Sequence, residues 1–225
     1  MEIVAVLVIL AIIVYMAVSA ARTEREVKAL RTVAMQGTAE RLGWEFSAAA
    51  SFDNIPAVRQ CELFARGHNR RISNFRSGRR GPHFLAVLDY EYVTGSGRSR
   101  RRWEQTVVNV HTPGVAYPRM ELRPENVLHR IGGAFGYQDI DLEAHPEFSA
   151  AYLLRGPDEA AVRAALTPAV VEFFAHHPQA RAETGGPDLF FWYGSHASPH
   201  GLSALLDDAL ALAARLQGLY PGPDA

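Results

Sequence analysis

His83-Phe84-Leu85-Ala86-Val87-Leu88-Asp89-Tyr90-Glu91-Tyr92-Val93, then Thr94-Gly95-Ser96-Gly97-Arg98-Ser99, then the run Arg102 to His111, is the stretch whose reading sets the fold. Its outer parts are rich in β-branched and aromatic residues and its middle supplies turn residues, the pattern of a β-hairpin. Along the first arm Leu88, Tyr90 and Tyr92 share one face, while Asp89, Glu91 and Val93 share the other. Side chains of a strand alternate between faces, so this arm reads as an antiparallel strand with one packed and one wet face.

Upstream of the hairpin, Cys61 to Ala65 reads as a short strand, Gly67-His68-Asn69 as a turn, Arg71 to Arg76 as an alternating strand and Ser77 to Pro82 as a loop. Thr23-Glu24-Arg25-Glu26 has the form of a capping box, and Val27, Leu30, Val33 and Ala34 recur at helical spacing. A helix is therefore expected over about 22–43, separate from or continuous with the segment before it, with Gly43 as its stop. Its apolar stripe is narrow, as in a stalk or a surface-packed helix.

Downstream, Met120-Glu121-Leu122 is a strand candidate, and Pro124-Glu125 opens a short helix to about Ile131 that Gly132, Gly133 and Gly136 end. Asp139 to Glu143 alternates as a short strand, and Ala150 to Leu154 is another. Pro157-Asp158-Glu159 starts a longer helix that Pro168 should kink or split. Asp188 to Tyr193, short and aromatic, suits a buried central strand. Ser198-Pro199 opens a last helix to about Leu216, whose Leu202, Leu205, Leu206, Ala209, Leu212 and Ala213 form a core-facing stripe. Strands cluster early and mix with helices later, which is an α+β pattern.

The amino-terminal run from Ile3 to Ala21 is uncharged and almost wholly apolar. Nineteen residues make roughly 28 Å of helix, close to a hydrocarbon core of about 30 Å. A cleaved signal peptide would want a positive leading region and a shorter apolar core, whereas Glu2 leads here. The expectation is thus an uncleaved transmembrane helix. Arg22, Arg25, Lys28 and Arg31 follow the run and no basic residue precedes it, which places the carboxyl side in the cytoplasm of a single-pass inner-membrane protein. The expected organisation is a transmembrane helix 3–21, a juxtamembrane helix 22–43, an α+β domain 44–220 with antiparallel sheet and packed helices, and a disordered tail 221–225. A lobe boundary, if there are two lobes, falls near 132–138.

With 48% hydrophobic residues the chain can build a packed core, and a lone cysteine cannot form an internal disulfide. Charge is unevenly placed. From Arg59 to Arg102 there are eleven arginines against three acids, a balance of +8, and from Trp103 onward seven arginines face fifteen acids, a balance of −8.

Motifs for chemistry are sparse. Gly95-Ser96-Gly97 and Gly132-Gly133-Ala134-Phe135-Gly136 match neither the P-loop nor the dinucleotide fingerprint. No nucleophile elbow occurs. Asp139, Asp141 and Glu143 lie on one side of a strand and could ligate a hard cation, yet a solvated face over Ile140 and Leu142 explains them as well. His196 and His200 are separated by Pro199, and His176-His177 sits at a helix end. No catalytic residue, cofactor or metal is therefore expected. The feature with functional content is Arg98, Arg100, Arg101 and Arg102 at the hairpin tip. They are candidate contacts for anionic lipid headgroups or an acidic protein partner. A solvated loop is the plain alternative. Nucleic acid is the least favoured partner, because Trp103 is the one aromatic neighbour available for stacking.

Asp89-Tyr90-Glu91-Tyr92-Val93-Thr94-Gly95-Ser96-Gly97, Leu122-Arg123-Pro124-Glu125, Asp139-Ile140-Asp141, Pro146-Glu147-Phe148-Ser149 and Tyr152-Leu153-Leu154-Arg155-Gly156 occur in an order that resembles an uncharacterised group of bacterial proteins with an amino-terminal membrane helix. The resemblance spans roughly 60–195. It implies a bacterial, membrane-anchored protein and carries over no activity, ligand or site residue. The function expected is an interaction or scaffold module at the membrane, in contact with the bilayer through 3–21. The alternative is a membrane-tethered enzyme of the hydrolase class.

Overall fold

The computed structural model describes residues 2–125 and 139–218. A long helix α1 (Glu2–Leu42) leads into strands β1 (Glu45–Ala50), β2 (His68–Arg80), β3 (His83–Thr94), β4 (Arg101–His111) and β5 (Tyr117–Pro124). Then come α2 (Pro146–Ala151), β6 (Tyr152–Arg155), α3 (Glu159–Ala165), α4 (Pro168–His176), β7 (Arg181–Gly186), β8 (Asp188–Trp192) and α5 (Leu202–Leu216). The eight strands form one sheet in the order β1-β2-β3-β4-β8-β7-β5-β6, with every neighbouring pair antiparallel.

The β3–β4 hairpin anchors this sheet. Its register runs unbroken from Phe84 opposite His111 to Thr94 opposite Arg101. Gly95 turns the chain at φ +68, and an added Cβ there would meet the Ser99 carbonyl oxygen at 2.5 Å. The two faces of the sheet bury different layers. Leu85, Val87, Val108, Val110 and Phe191 pack under α3, α4 and α5, through Val162, Phe173, Phe174, Leu205 and Leu212. Leu88, Tyr90, Tyr92, Val107 and Trp192 on the other face meet the short 3₁₀ turns between β1 and β2, through Ile55, Val58, Leu63 and Phe64.

Several local expectations change. Cys61 to Ala65 is not a strand: Glu62–Ala65 is a 3₁₀ turn that lays Leu63 and Phe64 on the sheet. Ser77 to Arg80 continues β2 rather than looping, with the reversal confined to Gly81 and Pro82. Asp139 to Glu143 forms no strand, although Ile140 and Leu142 are buried and the acids between them exposed. The last helix begins at Leu202, after a turn in which the Gly201 amide donates to Ser198 Oγ at 2.9 Å. Pro168 splits the long helix into α3 and α4, as its ring requires. The helix expected from Pro124 to Ile131 and the boundary at 132–138 lie largely outside the described residues, and the tail 221–225 wholly so.

α1 corrects the largest expectation. It runs straight through Thr23, whose hydroxyl donates back to the Ser19 carbonyl, so the helix expected over 22–43 is continuous with the segment before it. Among the described residues, no helix is long and apolar enough to cross a membrane. The same helix carries Arg22, Glu24, Arg25, Glu26 and Lys28 and continues to Leu42. The transmembrane helix in the expected fold class, the single-pass character and the inner-membrane placement with a cytoplasmic domain are therefore not supported. Nor does the predicted stripe of α1 pack: Val27, Leu30 and Val33 are 60–71% exposed, while Met35, Thr38 and Ala39 are buried on the sheet.

Candidate ligand cleft and the ion pairs around it

The sheet register builds an open cleft. Phe84 lies opposite His111, and His111 lies opposite Asp188, so residues from β3, β4 and β8 share one rung. Ala86, Asn109 and Phe190 share the rung two residues along, the next on the same face. These rungs floor an open cleft of about 910 Å³, walled by the 3₁₀ turn that carries Pro56, Ala57 and Gln60.

One carboxylate organises the polar end of the cleft. Asp188 Oδ1 accepts from Asn109 Nδ2 at 3.1 Å and pairs with His111 Nδ1 at 3.0 Å. Phe84 meets His111 edge-on with centroids 6.0 Å apart, and the Arg79 guanidinium covers the Phe84 ring at 3.9 Å. Phe84 is 42% exposed, an unusual state for a phenylalanine on a packed sheet.

The wall of the cleft is pinned from beneath. The fully buried carboxylate of Glu183 on β7 accepts the backbone amides of Glu62 and Leu63, the latter at 2.9 Å. Arg66 approaches Glu183 at 3.5 Å and also pairs with Glu121. Burial raises the Glu183 carboxyl, with Arg66 pulling the other way. Burial also pushes the Cys61 thiol well up, and the charge of Glu183 adds to it. Cys61 is thus a small buried residue and a poor nucleophile.

On the opposite face Asp89 fastens α1 to the sheet. Arg31 donates to it twice, Nε to Oδ2 at 2.7 Å and Nη2 to Oδ1 at 2.8 Å. Asn74 Nδ2 donates to Oδ2 at 2.7 Å and the Thr106 hydroxyl to Oδ1 at 2.8 Å. The face read as wet is therefore covered. Arg76 lies beside this group, wholly buried, and none of its guanidinium nitrogens has a hydrogen-bond partner among the described residues. Burial pushes it down to about 10, against the pull of Asp89.

The arginines singled out in the sequence sit elsewhere. Nine residues of strand separate the rung of Phe84 from that of Val93, which is roughly 30 Å. Arg102 is engaged with Glu24 of α1 at 2.6 Å and with Glu91 at 2.7 Å. Arg101 stacks over Trp103 at 4.0 Å. Arg98 and Arg100 are exposed, without an ion pair among the described residues.

The metal and histidine candidates resolve into local roles. Asp139 Oδ1 accepts the Leu154 amide at 3.0 Å, and among the described residues no group of His, Cys, Asp and Glu could hold a metal ion. His176 and His177 bond through Nδ1 to carbonyls four residues back. The cleft itself was missed. Asp188 on β8 lies 79 and 77 positions from Asn109 and His111 on β4, and no local spacing announces them.

No family model matches the chain, and no curated protein does. Among solved structures it is similar to the crystal structure of the mycobacterial trehalose monomycolate transport factor A, TtfA, with a TM-score of 0.58 and 13% identity over 85% of this chain and 97% of that one. At that identity the likeness establishes a shared fold.

Proposed function

We propose that this protein is an interaction module that serves the transport of an amphiphilic, lipid-linked molecule, and that the cleft is where it meets that molecule. The observation that carries the reading is the cleft: about 910 Å³, open to solvent, with aromatic and aliphatic walls and a compact polar end. That is the size and composition of sites that hold one small ligand. The fold likeness to a trehalose monomycolate transport factor supports the transport setting. The test is titration of the protein with n-octyl amphiphiles below their critical micelle concentration, followed by amide chemical shifts. Shifts confined to β2, β3, β4 and the 56–60 turn, and lost in Ser77→Trp, which fills the floor, are expected. Absence of any saturable shift would overturn the reading.

A second reading, a hydrolase, is favoured by one observation: the Asp188–His111 pair opens into the same cleft as Ser77. A carboxylate on Nδ1 leaves Nε2 free to act as a base. Turnover of p-nitrophenyl acyl esters that vanishes in His111→Ala would support it, and identical background rates would remove it.

A further inference from the structure

We infer that the cleft takes a neutral, polyhydroxylated headgroup, a sugar or other polyol, rather than an anionic or quaternary ammonium one. The inference rests on the amphiphile reading above and specifies its ligand. It follows from a count of the hydrogen-bonding positions left open at the polar end.

Asp188 Oδ1 is occupied by Asn109 Nδ2 and by His111 Nδ1. A carboxylate can only accept, so His111 carries a proton on Nδ1, and whenever the ring is neutral Nε2 is an acceptor. Asn109 has used an amide hydrogen on Asp188, which turns its Oδ1 away as a second acceptor. Asp188 Oδ2 is the third. None of these three atoms has a hydrogen-bond partner among the described residues. The site therefore offers a cluster of acceptors and needs a ligand rich in donors.

Three classes of ligand can be weighed against that need. An anionic head, phosphate or carboxylate, brings acceptors to acceptors and meets Asp188 and Glu45, which both line the cleft; the one arginine in that lining, Arg79, lies over the Phe84 ring, away from the three acceptors. A quaternary ammonium brings no hydrogen-bond donor and depends on a bare aromatic face. The Phe84 ring already holds the Arg79 guanidinium at 3.9 Å, which removes that face and adds a repelling charge. Hydroxyl groups satisfy the three acceptors without a charge, and the half-exposed Phe84 edge and the Phe75 ring offer apolar surface for the carbon face of a sugar ring.

The experiment keeps the tail constant and changes the head. n-Octyl glucoside, n-octyl phosphate and n-octyltrimethylammonium are titrated into the full chain below their critical micelle concentrations, and Kd is read from amide shifts. The glucoside should bind about tenfold tighter than either ionic probe. His111→Ala, at a half-buried strand end, should cut that preference about three- to tenfold, the worth of one hydrogen bond, and leave the ionic probes unchanged. Equal or tighter binding of an ionic probe overturns the headgroup assignment while the amphiphile reading stands. Binding of none of the three overturns both.

Discussion

Asp89 faces two cations, and replacing it should cost more than replacing Arg31, its ion-pair partner. Asp89→Ala removes an acceptor of four hydrogen bonds from a site that is 3% exposed. It strands Arg31 and, more seriously, the wholly buried Arg76, for which Asp89 is the charge that opposes desolvation. Breaking a buried pair by deleting one member costs about 3–5 kcal/mol, so a loss of about 4 kcal/mol is expected. Arg31→Ala leaves Asp89 with Asn74, Thr106 and the field of Arg76, and should cost about 2 kcal/mol. Urea unfolding at pH 7, followed by tryptophan fluorescence with a shared m-value, measures both. If Arg31→Ala proves as costly as Asp89→Ala, Arg76 is satisfied some other way and the reasoning fails. The pH dependence gives a second check. Burial alone would raise Asp89, but the hydrogen bonds and charge of Arg31, with Asn74, hold it below the usual carboxylate value. A depressed carboxyl contributes stability above its unfolded pKa of about 3.9 and loses it as pH falls through the lower folded value. Asp89→Asn should therefore flatten the acid limb of the stability curve below about pH 4.

Cys61 should stay unmodified by a thiol reagent at pH 8 in native buffer and react fully in denaturant; fast native labelling would contradict its burial and raised thiol. Gly67→Ala should cost at least about 2 kcal/mol in thermal unfolding, because φ is +60 and the added Cβ would lie 2.2 Å from the Val93 carbonyl oxygen. A paired Arg98→Ser/Arg100→Ser variant should keep the wild-type melting temperature, since neither side chain has an ion pair among the described residues. If the hairpin tip meets anionic lipid, that variant should lose roughly thirtyfold in co-sedimentation with anionic vesicles at about 1 kcal/mol per arginine, and equal binding would remove the lipid role. Arg102→Ser should instead lower the melting temperature, because it unties Glu24 of α1 from Glu91.

What could be read from the chain alone was what neighbours in sequence decide. Alternation over His83 to Val93 and the glycine turn at Gly95 mark a hairpin, which forms as β3 and β4 within a residue of those limits. Pro168 breaks a helix because its ring clashes with the preceding turn, and the leucine stripe of α5 packs because its spacing matches the helical period. Gly43, at φ +67, ends α1 where a left-handed residue is needed. By contrast, β7 has almost no strand-forming signal in Arg181-Ala182-Glu183-Thr184-Gly185-Gly186. It is a strand because β5 and β8 flank it with unpaired backbone. The wet face of β3 became a buried one because α1 folds back and brings Arg31 to Asp89, 58 positions away. The cleft needed the same kind of information: His111 and Asp188 meet because β4 pairs with β8 across 77 residues. Periodicity and turn chemistry act over a few residues, so they announce elements. Which elements become neighbours depends on burying both faces of one sheet at once, and that balance exists only in the assembled fold.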